Sequence, residues 1–107
     1  MSTQIISDDT FQEKISQGES KLIIVDFWAD WCGPCKMLAP TLEKISETHK
    51  DSLIIYKLNT DENASTAQQF QITSIPCCIL FKNGKEVHRV IGHKSEESFE
   101  TEIKPFL

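Results

Sequence analysis

The sequence has little that would tie it to a membrane, a nucleic acid or a secretory route. Its 107 residues contain no Lys/Arg cluster: 11 basic residues stand against 16 acidic ones, and the net charge of −5 is spread along the chain. Without a basic patch there is no electrostatic footprint for a polyanion. Residues 1–9 are polar and acidic, and they lack the basic start and apolar core of a signal peptide. Apolar runs such as residues 22–25 are far too short to cross a bilayer. Internal repeats, low-complexity tracts and linkers are missing too. These absences lead to the expectation of one domain over residues 1–107, working in the cytoplasm, where free thiols stay reduced. Four cysteines in that compartment point to metal binding, catalysis or burial rather than to a disulfide framework.

What is present is a regular alternation of elements. Residues 3–6 can form a short strand, and Ser7, Asp8 and Asp9 are N-cap candidates for a helix that buries Phe11 and Ile15 and stops at Gly18. Residues 21–28 form a near-continuous apolar, β-branched run, the pattern of a strand covered on both faces. An amphipathic helix over about residues 35–50 follows. Met37, Leu38, Leu42 and Ile45 supply its apolar side, and Pro40 lies inside it as an expected kink. Residues 53–59 read as a second buried strand, and Thr60 or Asp61 can cap a helix running to about Phe70. Two further strands, residues 77–82 and 86–91, flank Asn83-Gly84, a strong hairpin signal. Ser95 then caps a last helix carrying Phe99 and Ile103. Parallel crossovers followed by a hairpin predict an α/β fold: a central mixed five-stranded sheet with helices on both faces.

The chemistry concentrates in Cys32-Gly33-Pro34-Cys35, between a buried strand and a helix. Positions i and i+3 of a helical turn share a face, at about the Cα separation a disulfide needs. The loop so closed is tiny, so the bond stabilises the fold little by chain entropy and is free to be broken and remade. The first helical turn has unpaired N–H groups and a partial positive charge that favour a thiolate. Pro34 fits there because its missing N–H would have had no partner. At its ordinary pKa of ~8.5 a thiol is only a few per cent thiolate at pH 7, so such a shift decides reactivity. Zinc binding would need a second ligand pair. Cys77-Cys78 is adjacent rather than spaced, and His49, His88 and His93 show no ligand spacing, so no metal is expected.

The stretch Trp28-Ala29-Asp30-Trp31-Cys32-Gly33-Pro34-Cys35-Lys36 resembles the active-site motif of the thioredoxin family. The likeness extends to Asp26, Phe27, Pro40, Lys57, Ile75-Pro76, Phe81-Lys82-Asn83-Gly84 and Gly92, and so covers nearly the whole chain. Gly33-Pro34 favours this family over its oxidising relatives, which tend to carry histidine there, and over glutaredoxin-like proteins. The resemblance implies the thioredoxin fold and a protein-disulfide reductase with no bound cofactor, monomeric, in which Cys32 attacks a target disulfide and Cys35 resolves the mixed disulfide. It implies recycling by a thioredoxin reductase. The targets implied are disulfide-bearing proteins of the ribonucleotide reductase, peroxiredoxin and methionine sulfoxide reductase type. It also implies a cis Ile75-Pro76 bond and a docking surface of Trp31, Ile75, Pro76 and Gly92, where the Ile75 backbone pairs with an extended target segment. Two positions depart from the family pattern: Cys77, usually threonine, and His93, usually small.

Asp26 interrupts an otherwise apolar strand. A buried lone carboxyl is costly to ionise, so its pKa rises, and a carboxyl poised near neutrality can take up and return a proton. A plain strand-end aspartate bonded to backbone is the alternative. The family resemblance favours the first, with Asp26 as proton acceptor for Cys35 and Lys57 modulating it. Cys77 and Cys78 alternate to opposite faces of a covered sheet, which makes them inert packing groups; a redox-regulatory Cys77 is the competing reading. At the level of the whole chain, the alternatives are an oxidase or isomerase and a redox-independent partner subunit or binding module. The missing signal segment and Gly33-Pro34 speak against the oxidase, and the intact dithiol against the subunit as sole role.

Overall fold

Five strands and four helices follow one another in a computed structural model that describes residues 3–17 and 20–107. In chain order they are β1 (Gln4–Ile5), α1 (Phe11–Ser16), β2 (Leu22–Trp28), α2 (Gly33–Thr48), β3 (Leu53–Asn59), α3 (Ala64–Gln69), β4 (Cys77–Lys82), β5 (Lys85–Ile91) and α4 (Glu96–Ile103), with a last 3-10 turn at Lys104–Phe106. The sheet order is β1-β3-β2-β4-β5. β1 and β2 both run parallel to β3, while β4 is antiparallel to β2 and to β5. This is the expected mixed five-stranded sheet.

The alternation along β2 divides the core into two layers. Leu22 and Ile24 face α2 and α4, packing with Leu38, Leu42, Ile45, Phe99 and Ile103. Ile23, Val25 and Phe27 face the other way, toward Phe11 and Ile15 of α1 and Ala67 of α3. With both faces covered, every residue from Leu22 to Phe27 is buried. That explains the near-continuous apolar run, and it fixes Asp26 on the α2 face, in phase with Leu22 and Ile24.

The hairpin follows its sequence signal. Asn83 and Gly84 both have positive φ, 53° and 78°, as a two-residue turn matched to strand twist requires. Ser95 caps α4, its Oγ accepting the Ser98 N–H at 3.1 Å.

Several local expectations are corrected. Met37 is 62% exposed. The buried side of α2 is Cys35, Leu38, Leu42 and Ile45, spaced three and four apart, and Met37 falls beside that stripe. The helix itself begins at Gly33 rather than Cys35. The N-cap of α1 is Thr10, because residues 7–10 close a turn in which the Thr10 N–H donates to Ser7 O at 3.1 Å. Asp8 serves α3 instead: its Oδ1 accepts the Thr66 N–H at 2.9 Å and the Thr66 hydroxyl at 2.6 Å. The N-cap of α3 is Asn63, not Thr60 or Asp61. Gly18, expected to end α1, lies outside the described residues.

Candidate active site

Four residues on from the end of β2 at Trp28, Cys32 takes extended backbone conformation as the N-cap of α2, with Pro34 in the first turn. Its Sγ accepts the Cys35 N–H at 3.2 Å. That is the bond an N-cap oxygen ordinarily makes, and it places the sulfur where a negative charge is favoured. Cys32 and Cys35 are joined as a disulfide with a Cα–Cα separation of 5.3 Å, inside the range such a bridge requires. Ala29 is buried with the pair, and Trp28 and Ile75 pack against it. Exposure does not distinguish the two cysteines, at 4% and 3%; their places on the helix do. Gly33 and Pro34 between them are exposed.

The Ile75-Pro76 bond is cis. The Ile75 carbonyl oxygen lies 3.7 Å from Cys32 Sγ, so this backbone segment borders the disulfide directly. Pro76 is buried, Ile75 and Gly92 are half-buried, and the Gly92 N–H donates to Pro76 O at 2.8 Å. Trp31 is 71% exposed, which excludes a core-packing role. Its ring is nonetheless held, because Nε1–H donates to Asp61 Oδ2 at 2.9 Å. Asn59 Oδ1 in turn accepts the Asp61 N–H at 2.9 Å. A groove of about 390 Å³ is lined by Trp31, Ala67, Ile72 and Ile75 among others. Nothing in the sequence signalled the Trp31–Asp61 bond, which spans 30 positions. His93 is exposed.

On the α2 face of β2, Asp26 is buried with 1% exposure. Its neighbours in register are Lys57 on β3 and Cys78 on β4. Burial raises its pKa to about 7, against the opposing pull of the Lys57 charge and a hydrogen bond from Cys78. The strand-end alternative assumed a backbone bond; the carboxyl is paired instead with a thiol, Cys78 Sγ lying 3.7 Å from Oδ1. Among the described residues no direct hydrogen bond joins Asp26 to Cys32 or Cys35, and Oδ2 has no partner at all. Lys57 Nζ sits 4.6 Å from the Trp28 ring centre, which ties the lysine to the residue packed under the disulfide.

Cys77 and Cys78 are free and buried. As strand alternation required, they face opposite layers, Cys78 with Leu38 and Phe99, Cys77 with Phe27 and Ile79. Burial pushes both thiols up, the condition of an inert thiol. Among the described residues no group of three or more His, Cys, Asp or Glu side chains is placed to hold a metal ion. Among the described residues no helix is long and apolar enough to cross a membrane.

A family model described as thioredoxin matches residues 2–105. The thioredoxin of Alicyclobacillus acidocaldarius is 48% identical over 105 residues, which is 98% of each chain. That of Mycolicibacterium smegmatis is 44% identical over 107 residues, covering 98% of this chain and 95% of its own. The thioredoxin of Synechocystis is 40% identical over 105 residues, 98% and 97% of the two chains. Likeness at this level, end to end, on a fold with a cysteine pair that closes as a disulfide, means that the chain belongs to the thioredoxin family of thiol–disulfide oxidoreductases.

Proposed function

We propose that residues 1–107 act as one cytoplasmic domain that reduces disulfides in other proteins. The observation that carries this reading is the position of Cys32, at the N-cap of α2 with its sulfur accepting the Cys35 N–H. A sulfur so placed is favoured as thiolate and stands beside an exposed aromatic and a bordering backbone segment. The Cys32 thiolate attacks one sulfur of a target disulfide. A bond forms between Cys32 and the target, the target's S–S bond breaks, and its other sulfur leaves as a thiolate that takes a proton from solvent. Asp26 accepts the Cys35 proton, through a water molecule or a small movement, with Lys57 favouring its charged form. Cys35 then attacks Cys32 Sγ and releases the second target thiol. The protein ends as the Cys32–Cys35 disulfide and the target as a dithiol, so two electrons have moved and the atoms balance.

Target docking is assigned to Trp31, Ile75, Pro76 and Gly92, with strand-like pairing to the Ile75 backbone. The supporting features are the exposure of Trp31 and the distance from Ile75 O to Cys32 Sγ. Because Pro76 is buried, the exposed part of this surface rests on the other three. Family members generally work with a thioredoxin reductase and disulfide-bearing targets. For this chain we assign the same reductase class, and targets of the ribonucleotide reductase, peroxiredoxin and methionine sulfoxide reductase type.

The test is turnover of insulin disulfides driven by a small dithiol. Wild-type protein is expected to accelerate the reaction, and Cys32→Ser to return it to the rate of the dithiol alone. A Cys32→Ser variant as fast as wild type would remove Cys32 as the nucleophile.

A further inference from the structure

Asp26 has a partner that the reaction as described does not use. Cys78 stands opposite it across the antiparallel β2–β4 pair, and Cys78 Sγ is 3.7 Å from Asp26 Oδ1. Both side chains are sealed from solvent. Burial, with the adjoining carboxyl adding to it, pushes the Cys78 thiol well above its ordinary range, so it keeps its proton at working pH and can donate. The two oxygens of the carboxyl therefore differ. Oδ1 is occupied by Cys78, while the equally buried Oδ2 has no partner among the described residues.

We infer that Cys78 is a positioning residue for the exchange reaction: its Sγ–H holds Oδ1 and orients the Asp26 carboxyl so that Oδ2 takes the proton given up by Cys35. This rests on the reading of Asp26 as proton acceptor. The groups around the carboxyl are few. Lys57 lies in register on β3, Cys78 lies on β4 with Cys77 beside it on the opposite face, and α2, which carries Cys35 in its first turn, covers this side of the sheet. Of these only Cys78 is hydrogen-bonded to it. A thiol is a weak donor, but a bond to a carboxylate gains strength where water does not compete. Donation to the charged form favours that form, so removing the donor makes Asp26 ionise at higher pH.

The oxidised protein isolates the question, since Cys77 and Cys78 are then the only thiols. In oxidised Cys77→Ala protein, the infrared S–H band of Cys78 is expected to move to lower frequency as Asp26 ionises, in step with the Asp26 carboxyl signal in carbon NMR. Cys78→Val is expected to raise that titration by about half a unit to one unit. From a midpoint of about 7, this lowers the ionised fraction, and with it insulin reduction at pH 7, about two- to fivefold, a deficit that vanishes by about pH 9. Cys78→Ser, which keeps a donor, is expected to restore both. Cys78→Ala replaces valine if the larger side chain unsettles the core. An S–H band indifferent to Asp26, or an unmoved titration in the valine and alanine variants, overturns the role of Cys78 whatever the rates do. If the titration moves but Asp26→Asn reduces insulin as fast as wild type, the proton-acceptor reading fails, and the positioning role fails with it.

Discussion

Replacing Cys35 by serine is expected to stop the reaction halfway and leave close to one target molecule covalently held per protein, through Cys32. The proposed chemistry is directional. Cys32, at the helix N-cap, is assigned to form the mixed disulfide, and once small thiols are removed Cys35, three residues on, is the thiol placed to break it. Serine fills the same space and cannot attack sulfur. Turnover should fall to the background rate, and the adduct should persist through gel electrophoresis without reductant. Cys32→Ser should give no such adduct, because the reaction never starts. Equal trapping by the two variants would mean that the roles are reversed or that neither thiol is committed to one. The near-equal burial of Cys32 and Cys35 in the disulfide makes this a necessary experiment, since exposure alone does not rank them.

Asp26→Ala is expected to produce a more stable and slower protein. The folded carboxyl ionises at about 7 against an ordinary value of 3.8. Between those values the folded chain holds a proton that the unfolded chain has lost, so folding stability falls as pH rises through this window and levels off above about 7. About three units at 1.36 kcal/mol each bound the cost of the buried charge at roughly 4 kcal/mol. The alanine variant escapes that cost but leaves a small void. A net gain of roughly 2–4 kcal/mol above neutral pH is therefore expected, falling to about zero or slightly below near pH 4, where only the cost of the void remains. Urea midpoints at pH 4 and pH 8 measure it. Insulin reduction at pH 7 should drop roughly tenfold, less than the ~10²–10⁴-fold usual for loss of a general base, because a thiol ionises partly unaided. A lower midpoint at pH 8 together with unchanged turnover would contradict both halves.

Much of the fold was legible because its signals are local. The unbroken run of β2, Asn83-Gly84, the Ser95 cap and the proline after Cys32 each state their geometry within a few residues. The cysteine pair was legible for the same reason: its spacing and its place before a helix are properties of one short segment. What the sequence hid depends on contacts between distant segments. Asp8 reads as a cap for the helix that follows it, yet its carboxylate satisfies Thr66, 58 positions away. Thr60 and Asp61 read as caps for α3. Instead, the Thr60 N–H donates to Trp28 O at 2.9 Å, and Asp61 holds Trp31. Met37 lies one step around α2 from the buried stripe, and in sequence an apolar side chain next to a stripe is indistinguishable from one in it until the neighbouring helix is known. Cys78 reads as inert packing. Its burial agrees with that reading, but the register that sets it against Asp26 is fixed by the pairing of β2 with β4 over a separation of 52.

Cys32 and Cys35 are expected to carry two electrons to a disulfide in another protein. The most direct measurement uses fully reduced protein, freed of small thiols and mixed with excess insulin in the absence of any other reductant. One insulin disulfide should be lost for each protein molecule, and peptide mass mapping should find the new bridge between Cys32 and Cys35, with Cys77 and Cys78 still free thiols. Insulin left intact, or a bridge that includes Cys77 or Cys78, would contradict it.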